Sequence, residues 1–181
     1  MHHFKGNEAV SVALLICNRK EAKSFDRANE NGVRSVYISK TTFSTQPEEV
    51  IKLMAENQID FIVLAGFLLL IPAYLLQLFP NRILNIHPAL LPDFGGAGMY
   101  GHHLHEQVRN AGVSHTGLSI HEVDAHFDTG KIIFQARCPV YTTDTTTDIA
   151  ARVLKLEHKL YPFVIEQFIQ SKTEIRSKKN V

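Results

Sequence analysis

Cysteine is scarce in this sequence and neither sign of charge dominates it, and each shortage removes a class of function. Only Cys17 and Cys138 occur, far apart and outside any C-x-x-C pair. That excludes a disulfide framework and a cysteine zinc site, and it fits a reducing cytoplasm. Nineteen Lys and Arg stand against eighteen Asp and Glu, for a formal charge of +1. No basic field is present to hold a phosphate backbone, so nucleic acid is not an expected partner. The opening MHHFKGNEAV has no charged-then-apolar-then-small pattern and predicts no secretory leader. Internal repeats and low-complexity segments are also lacking. What is present is 45% hydrophobic residues in 181, enough for one compact domain with a real core.

One apolar run, FIVLAGFLLLIPAYLLQLF (61–79), is long enough to span a bilayer. Gly66, Pro72 and Gln77 divide it into a strand-sized piece, a corner and a helix-sized piece, so no membrane span is expected. The rest of the chain alternates in the same way. Strands are predicted at SVALLICN (11–18), VRSVYIS (33–39), DFIVLAG (60–66) and RILNIH (82–87). Helices are predicted at 20–32, at 47–57 with Pro47 in its first turn, and at 72–79. Such alternation implies an α/β domain with an open, mostly parallel sheet and helices on both faces.

Beyond residue 88 the character changes. PALLPDFGGAGMYG holds two Pro and four Gly and reads as an irregular, mobile loop at the carboxyl end of a buried strand, where open α/β sheets bind ligands. A helix follows at 102–112, then strands at 116–123 and 131–140, joined by a loop rich in acids and Gly. The final helix runs through 148–169 with a kink expected at Pro162, and RSKKNV reads as a solvated tail.

Within ILNIHPALLP (83–92), Asn85 and His87 stand two apart on a strand and therefore point the same way, into the crevice beyond the sheet. An amide N–H and an imidazolium N–H are the donors to aim at a carbonyl oxygen that is becoming an oxyanion. The same two side chains could also be satisfied polar groups at a strand end. A carboxylate beside the imidazole would keep it charged and oriented. The loop HEVDAHFDTG offers Asp124 and Asp128, either of which could serve.

LAGFLLLIP (64–72), LNIHPALLP (84–92), SIHEVDAHFDTGKIIFQ (119–135) and DIAARVLKLEHKLYP (148–162), in this order and across nearly the whole chain, resemble the folate-dependent formyltransferases. The resemblance implies a Rossmann-like formyltransferase fold, with residues 1–181 forming a single formyltransferase domain. It implies transfer of a formyl group from 10-formyltetrahydrofolate, as co-substrate, to the amine of glycinamide ribonucleotide in purine biosynthesis, in the cytoplasm and without a metal. Asn85 and His87 match the family's N-x-H-P, and Asp128 matches the aspartate of its D-x-G turn. By the resemblance, Asn85 and protonated His87 stabilise the oxyanion while Asp128 keeps His87 charged. Leu68, Leu69, Ile71 and Leu76 fall where the family builds its apolar folate pocket, Asp124 falls in the loop lining the pterin, and Glu157 matches a glutamate that binds the ribonucleotide sugar.

The family's opening strand and glycine-rich phosphate loop have no counterpart here, since SVALLICN aligns with the family's second strand. An N-terminally truncated fold is therefore expected. The glycines of GGAGMYGHH (95–103) suit the hinges of a lid. HHLH (102–105) lacks a carboxylate or Cys spaced to complete a metal site. Small molecules are the expected partners, with no membrane, and a homodimer stays open. Alternative readings are a formyltetrahydrofolate hydrolase and a folate-binding protein without transferase activity. A tRNA formyltransferase is disfavoured by the lack of a basic surface.

Overall fold

The computed structural model describes residues 1–179, which fall into two compact units: residues 1–60 together with those from 169 onward, and residues 61–168. In the first unit, strands β1 (Leu14–Cys17) and β2 (Arg34–Tyr37) pair in parallel, with Leu14 opposite Arg34 and Cys17 opposite Tyr37. Helix α1 (Ser24–Glu30) connects them. Parallel neighbours require such a crossover, which is why the alternation was legible. Helix α2 (Lys40–Thr45) was not foreseen. Its signal is Ser39, whose side chain accepts from the Thr42 backbone N–H at 3.0 Å and caps the first turn. Helix α3 (Pro47–Glu56) follows, with Pro47 at its start and Val50 and Met54 buried.

The second unit is built on four strands in the order β3 (Ile62–Leu64), β4 (Ile83–His87), β5 (His115–Glu122) and β6 (Ile132–Pro139). β3 and β4 are parallel and joined through helix α4 (Ala73–Leu78). β5 and β6 are antiparallel to their neighbours, so this sheet is mixed. A short loop can join β5 to β6 because antiparallel neighbours need no crossover. Helix α5 (Gly101–Asn110) precedes β5.

The core of this unit includes Ile83, Leu84, Leu118 and Ile120 on the sheet, all at most 1% exposed. A second cluster joins Ala89, Leu104, Val108 and Ile149, and Phe94 and Met99 of the loop after β4 pack against it. That loop is irregular, as expected, but it is anchored. The last helix, α6 (Thr146–Lys179), takes in most of the segment read as a solvated tail. Glu174, Arg176 and Lys178 are good helix formers, and nothing in TEIRSKK stops a helix that has already nucleated. Within residues 61–168, the buried Tyr161 hydroxyl donates to the carbonyls of Leu64 (2.8 Å) and Leu84 (3.2 Å) and fixes α6 to β3 and β4. Among the described residues, no helix is long and apolar enough to cross a membrane.

Candidate active site

The site grows out of the register between β4 and β5. Both strands carry the pattern polar, Ile, His: Asn85-Ile86-His87 on one, Ser119-Ile120-His121 on the other. Because they run antiparallel, Asn85 lies opposite His121 and His87 lies opposite Ser119. The two isoleucines are buried in the core, and four polar side chains are left together at the end of β4.

Each of the four has a definite partner. Asn85 Nδ2 lies 3.0 Å from His121 Nε2. His121 Nδ1 lies 2.8 Å from the Glu122 carbonyl oxygen, which can only accept, so this nitrogen carries a proton. His87 Nε2 donates to the Phe94 carbonyl oxygen at 2.8 Å. Ser119 Oγ donates to the Ala89 carbonyl at 2.7 Å and accepts from the Leu91 N–H at 2.8 Å, pinning the start of the loop that follows His87. Gln135 Nε2 adds bonds to Ser119 Oγ and to the Leu91 carbonyl.

The β5–β6 loop supplies Asp128. Its Oδ2 is 3.5 Å from His87 Nδ1 and its Oδ1 is 3.5 Å from His121 Nε2, and the Gly96 N–H donates to Oδ2 at 3.0 Å. Asp128 adopts a left-handed backbone (φ 58°), and so does Phe94 (φ 54°). Backbone strain of this kind concentrates where side chains are held for a task. The turn is tight enough that a Cβ on Gly130 would sit 1.8 Å from the Glu122 carbonyl oxygen, so D-T-G needs its glycine for close approach.

Burial raises the Asp128 pKa, but the neighbouring imidazoles, His121 foremost, and the Gly96 N–H outweigh it and leave the carboxyl below its ordinary value. For His87 the balance falls the other way. Burial lowers its pKa more than Asp128 and the Phe94 carbonyl raise it, and His121 lowers it further. At 4% exposure, desolvation of the imidazole weighs more than the carboxylate 3.5 Å away. The imidazole is poised below its usual value, with both ring nitrogens facing acceptors.

The remaining predicted residues separate from this cluster or take other tasks. Asp124 organises the loop, its carboxylate accepting from the His126 N–H (3.0 Å) and the Thr129 hydroxyl (2.7 and 2.9 Å). Leu68 is exposed, Leu69 and Leu76 are half-buried, and Ile71 is in the core. None of the four lines the cleft of about 360 Å³ beside Asp128, which is bounded by Leu91, Gly95, Gly96, Phe127 and Ile132 among others. Glu157 on α6 is half-buried, and desolvation raises its pKa. In the HHLH cluster His105 is buried while His102 and His103 are exposed, and His103 faces Glu106 at 4.0 Å. His121, Ser119 and Phe94 were missed. The first two had a signal, the polar-Ile-His repeat, whereas Phe94 acts through its backbone and leaves none.

Comparison with known proteins gives a consistent result. Residues 1–165 match the family described as Formyl transferase. The chain is 36% identical over 166 residues to phosphoribosylglycinamide formyltransferase of Bacillus subtilis, covering 90% of this chain and 83% of that one. It is 40% identical over 169 residues to the chloroplastic phosphoribosylglycinamide formyltransferase of Arabidopsis thaliana, covering 91% of this chain and 58% of the relative. The chain thus spans somewhat more than half the length of that plant protein. Among solved structures, phosphoribosylglycinamide formyltransferase from Bacillus halodurans superposes with a TM-score of 0.81 at 35% identity, covering 91% of this chain and 84% of that one. The enzyme from Anaplasma phagocytophilum gives 0.83 at 30% identity, covering 94% and 80%. These likenesses carry the Rossmann-like α/β fold, a sheet with helices on both faces.

Proposed function

Since the chain belongs to the formyl transferase family, we propose that it transfers a formyl group from 10-formyltetrahydrofolate to the amine of glycinamide ribonucleotide, a step of de novo purine biosynthesis. On this reading it is a single formyltransferase domain acting on small molecules in a cytoplasm, where its two free thiols stay reduced.

The observation that carries the reading is the Phe94 carbonyl oxygen, 2.8 Å from His87 Nε2 and bonded by the N–H that a formyl oxygen would need. A carbonyl already occupies the acceptor position, so the formyl group exchanges like for like. The substrate amine attacks the formyl carbon, a C–N bond forms, and the C=O electrons move onto oxygen. Asn85, through the N–H that His121 does not use, and His87 donate to that oxygen. The oxyanion adds a second negative neighbour beside Asp128 and raises the His87 pKa. The couple therefore binds the transition state more strongly than the ground state. Collapse breaks the bond to N10 of the folate, and the proton lost by the amine passes through water held by Asp128 to N10.

Leu68 and Leu69 offer apolar surface to the folate, with Leu76 on α4 and the buried Ile71 backing it, and Asp124 shapes the loop around the pterin. Glu157, half-buried and with its pKa raised by desolvation, suits a bond to the ribose hydroxyls. Isothermal titration tests the reading: binding of glycinamide ribonucleotide and of a 10-formyltetrahydrofolate analogue is expected. Folate binding with no ribonucleotide binding would overturn the transferase assignment.

A further inference from the structure

We infer that His121 is a positioning residue that fixes the polarity of the Asn85 amide by acting as a neutral, Nδ1-protonated imidazole. The inference rests on the role proposed above for Asn85. An asparagine side chain has a donor end and an acceptor end of nearly equal shape, so a half turn about its last bond reverses what it offers a substrate. Something must choose between the two.

In this site the choice runs backwards along one chain of bonds. The Glu122 carbonyl oxygen, 2.8 Å from His121 Nδ1, cannot donate, so the proton sits on Nδ1. A neutral ring then has only a lone pair on Nε2. The Asn85 amide, 3.0 Å away, must present an N–H to it rather than its oxygen. One amide N–H is consumed, the carbonyl end is turned off, and the second N–H is left for the substrate oxygen. His121 is 2% exposed, so water does not compete for either ring nitrogen. Asp128 Oδ1, 3.5 Å from Nε2, is the opposing influence, because a carboxylate there favours a proton on Nε2. Its other oxygen is engaged by the Gly96 N–H and faces His87, which draws its charge the other way. A proton on Nε2 would reverse the amide and present a carbonyl, not a donor, to the oxyanion.

Two measurements test this. Long-range proton–nitrogen correlation spectra of the free protein, labelled at histidine nitrogen, are expected to show His121 with Nδ1 protonated and Nε2 bare at neutral pH. A protonated Nε2 overturns the inference, and this readout needs no turnover. In formyl transfer, His121→Ala is expected to lower kcat about tenfold, a fraction of the loss for deleting an oxyanion donor outright. KM for both substrates should be unchanged, and His121→Gln, which keeps an acceptor, should recover part of the rate. In an Asn85→Ala background the same His121→Ala change should alter kcat by less than about twofold, because two residues acting as a unit are not additive. A full tenfold loss in that background overturns the inference. Wild-type protein that shows the bare Nε2 yet transfers no formyl group would instead refute the proposed activity and leave the amide polarity standing.

Discussion

Replacing Asp128 by Asn tests the electrostatic core of the site with little change in shape. The carboxylate stands 3.5 Å from both His87 Nδ1 and His121 Nε2, and the side chains concerned are 12%, 5% and 3% exposed. Two unit charges 3.5 Å apart attract by about 5 kcal/mol at an effective dielectric constant of about 20. The amide dipole of Asn retains part of that, so about 3–4 kcal/mol of transition-state stabilisation should be lost, or about two to three decades in kcat. Substrate binding should hardly change, because the charge on His87 develops with the oxyanion. Steady-state kinetics with both substrates measures the split. A second consequence is independent of turnover: Asp128 raises the His87 pKa, so Asp128→Asn should lower it further still, as followed by proton or nitrogen chemical shifts against pH. A rate within tenfold of wild type, or a His87 pKa that rises in the variant, would refute the reasoning.

Other predictions concern stability. Hydrogen bonds from Arg152 and the Tyr141 N–H hold the Asp144 carboxyl at about 2, and Arg152 contacts both carboxylate oxygens, at 2.6 and 2.8 Å. Its contribution is complete above the ordinary carboxylate value near 3.8 and is lost as pH falls through about 2. In Arg152→Met, the fall of the urea midpoint between those pH values should be shallower than in wild type. Tyr161→Phe leaves the Leu64 and Leu84 carbonyls without the hydroxyl and should cost about 1–3 kcal/mol in denaturant titration. Gly130→Ala forces the Asp128 turn away from Glu122 and should lower thermal stability by about 1–3 kcal/mol and reduce turnover with it, whereas a neutral effect would mean that the turn is not constrained as described.

The first strands and helices were legible because parallel strands read as short apolar runs and their crossovers must be helical, which alternation reveals directly, although β1 is only half-buried and β2 mostly exposed. The direction of β5 and β6 was not, since period-two patterning says which face a residue takes and nothing about which way a strand runs. Asn85, His87 and Asp128 were readable as chemistry: an amide and an imidazole at the end of an apolar strand need a reason, and a nearby acid supplies one. His121 stayed hidden although it sits in the same pattern, because only the antiparallel register brings it opposite Asn85. The direction of the His87 pKa was not legible for a related reason. A sequence shows the carboxylate but not the 4% exposure that outweighs it. Asp124 and Asp128 could not be told apart by composition alone, and it is the Thr129 hydroxyl that ties Asp124 to its own loop.

Formyl transfer itself is the most direct test of the account. With 10-formyltetrahydrofolate carrying an isotopic label in the formyl group, mass spectrometry of a reaction containing glycinamide ribonucleotide should place the label on the ribonucleotide amine. His87→Ala should reduce that rate at least about a hundredfold. Label appearing as formate, at a rate indifferent to the ribonucleotide, would contradict it and make the protein a hydrolase. Full-rate transfer by His87→Ala would show that the oxyanion is held elsewhere.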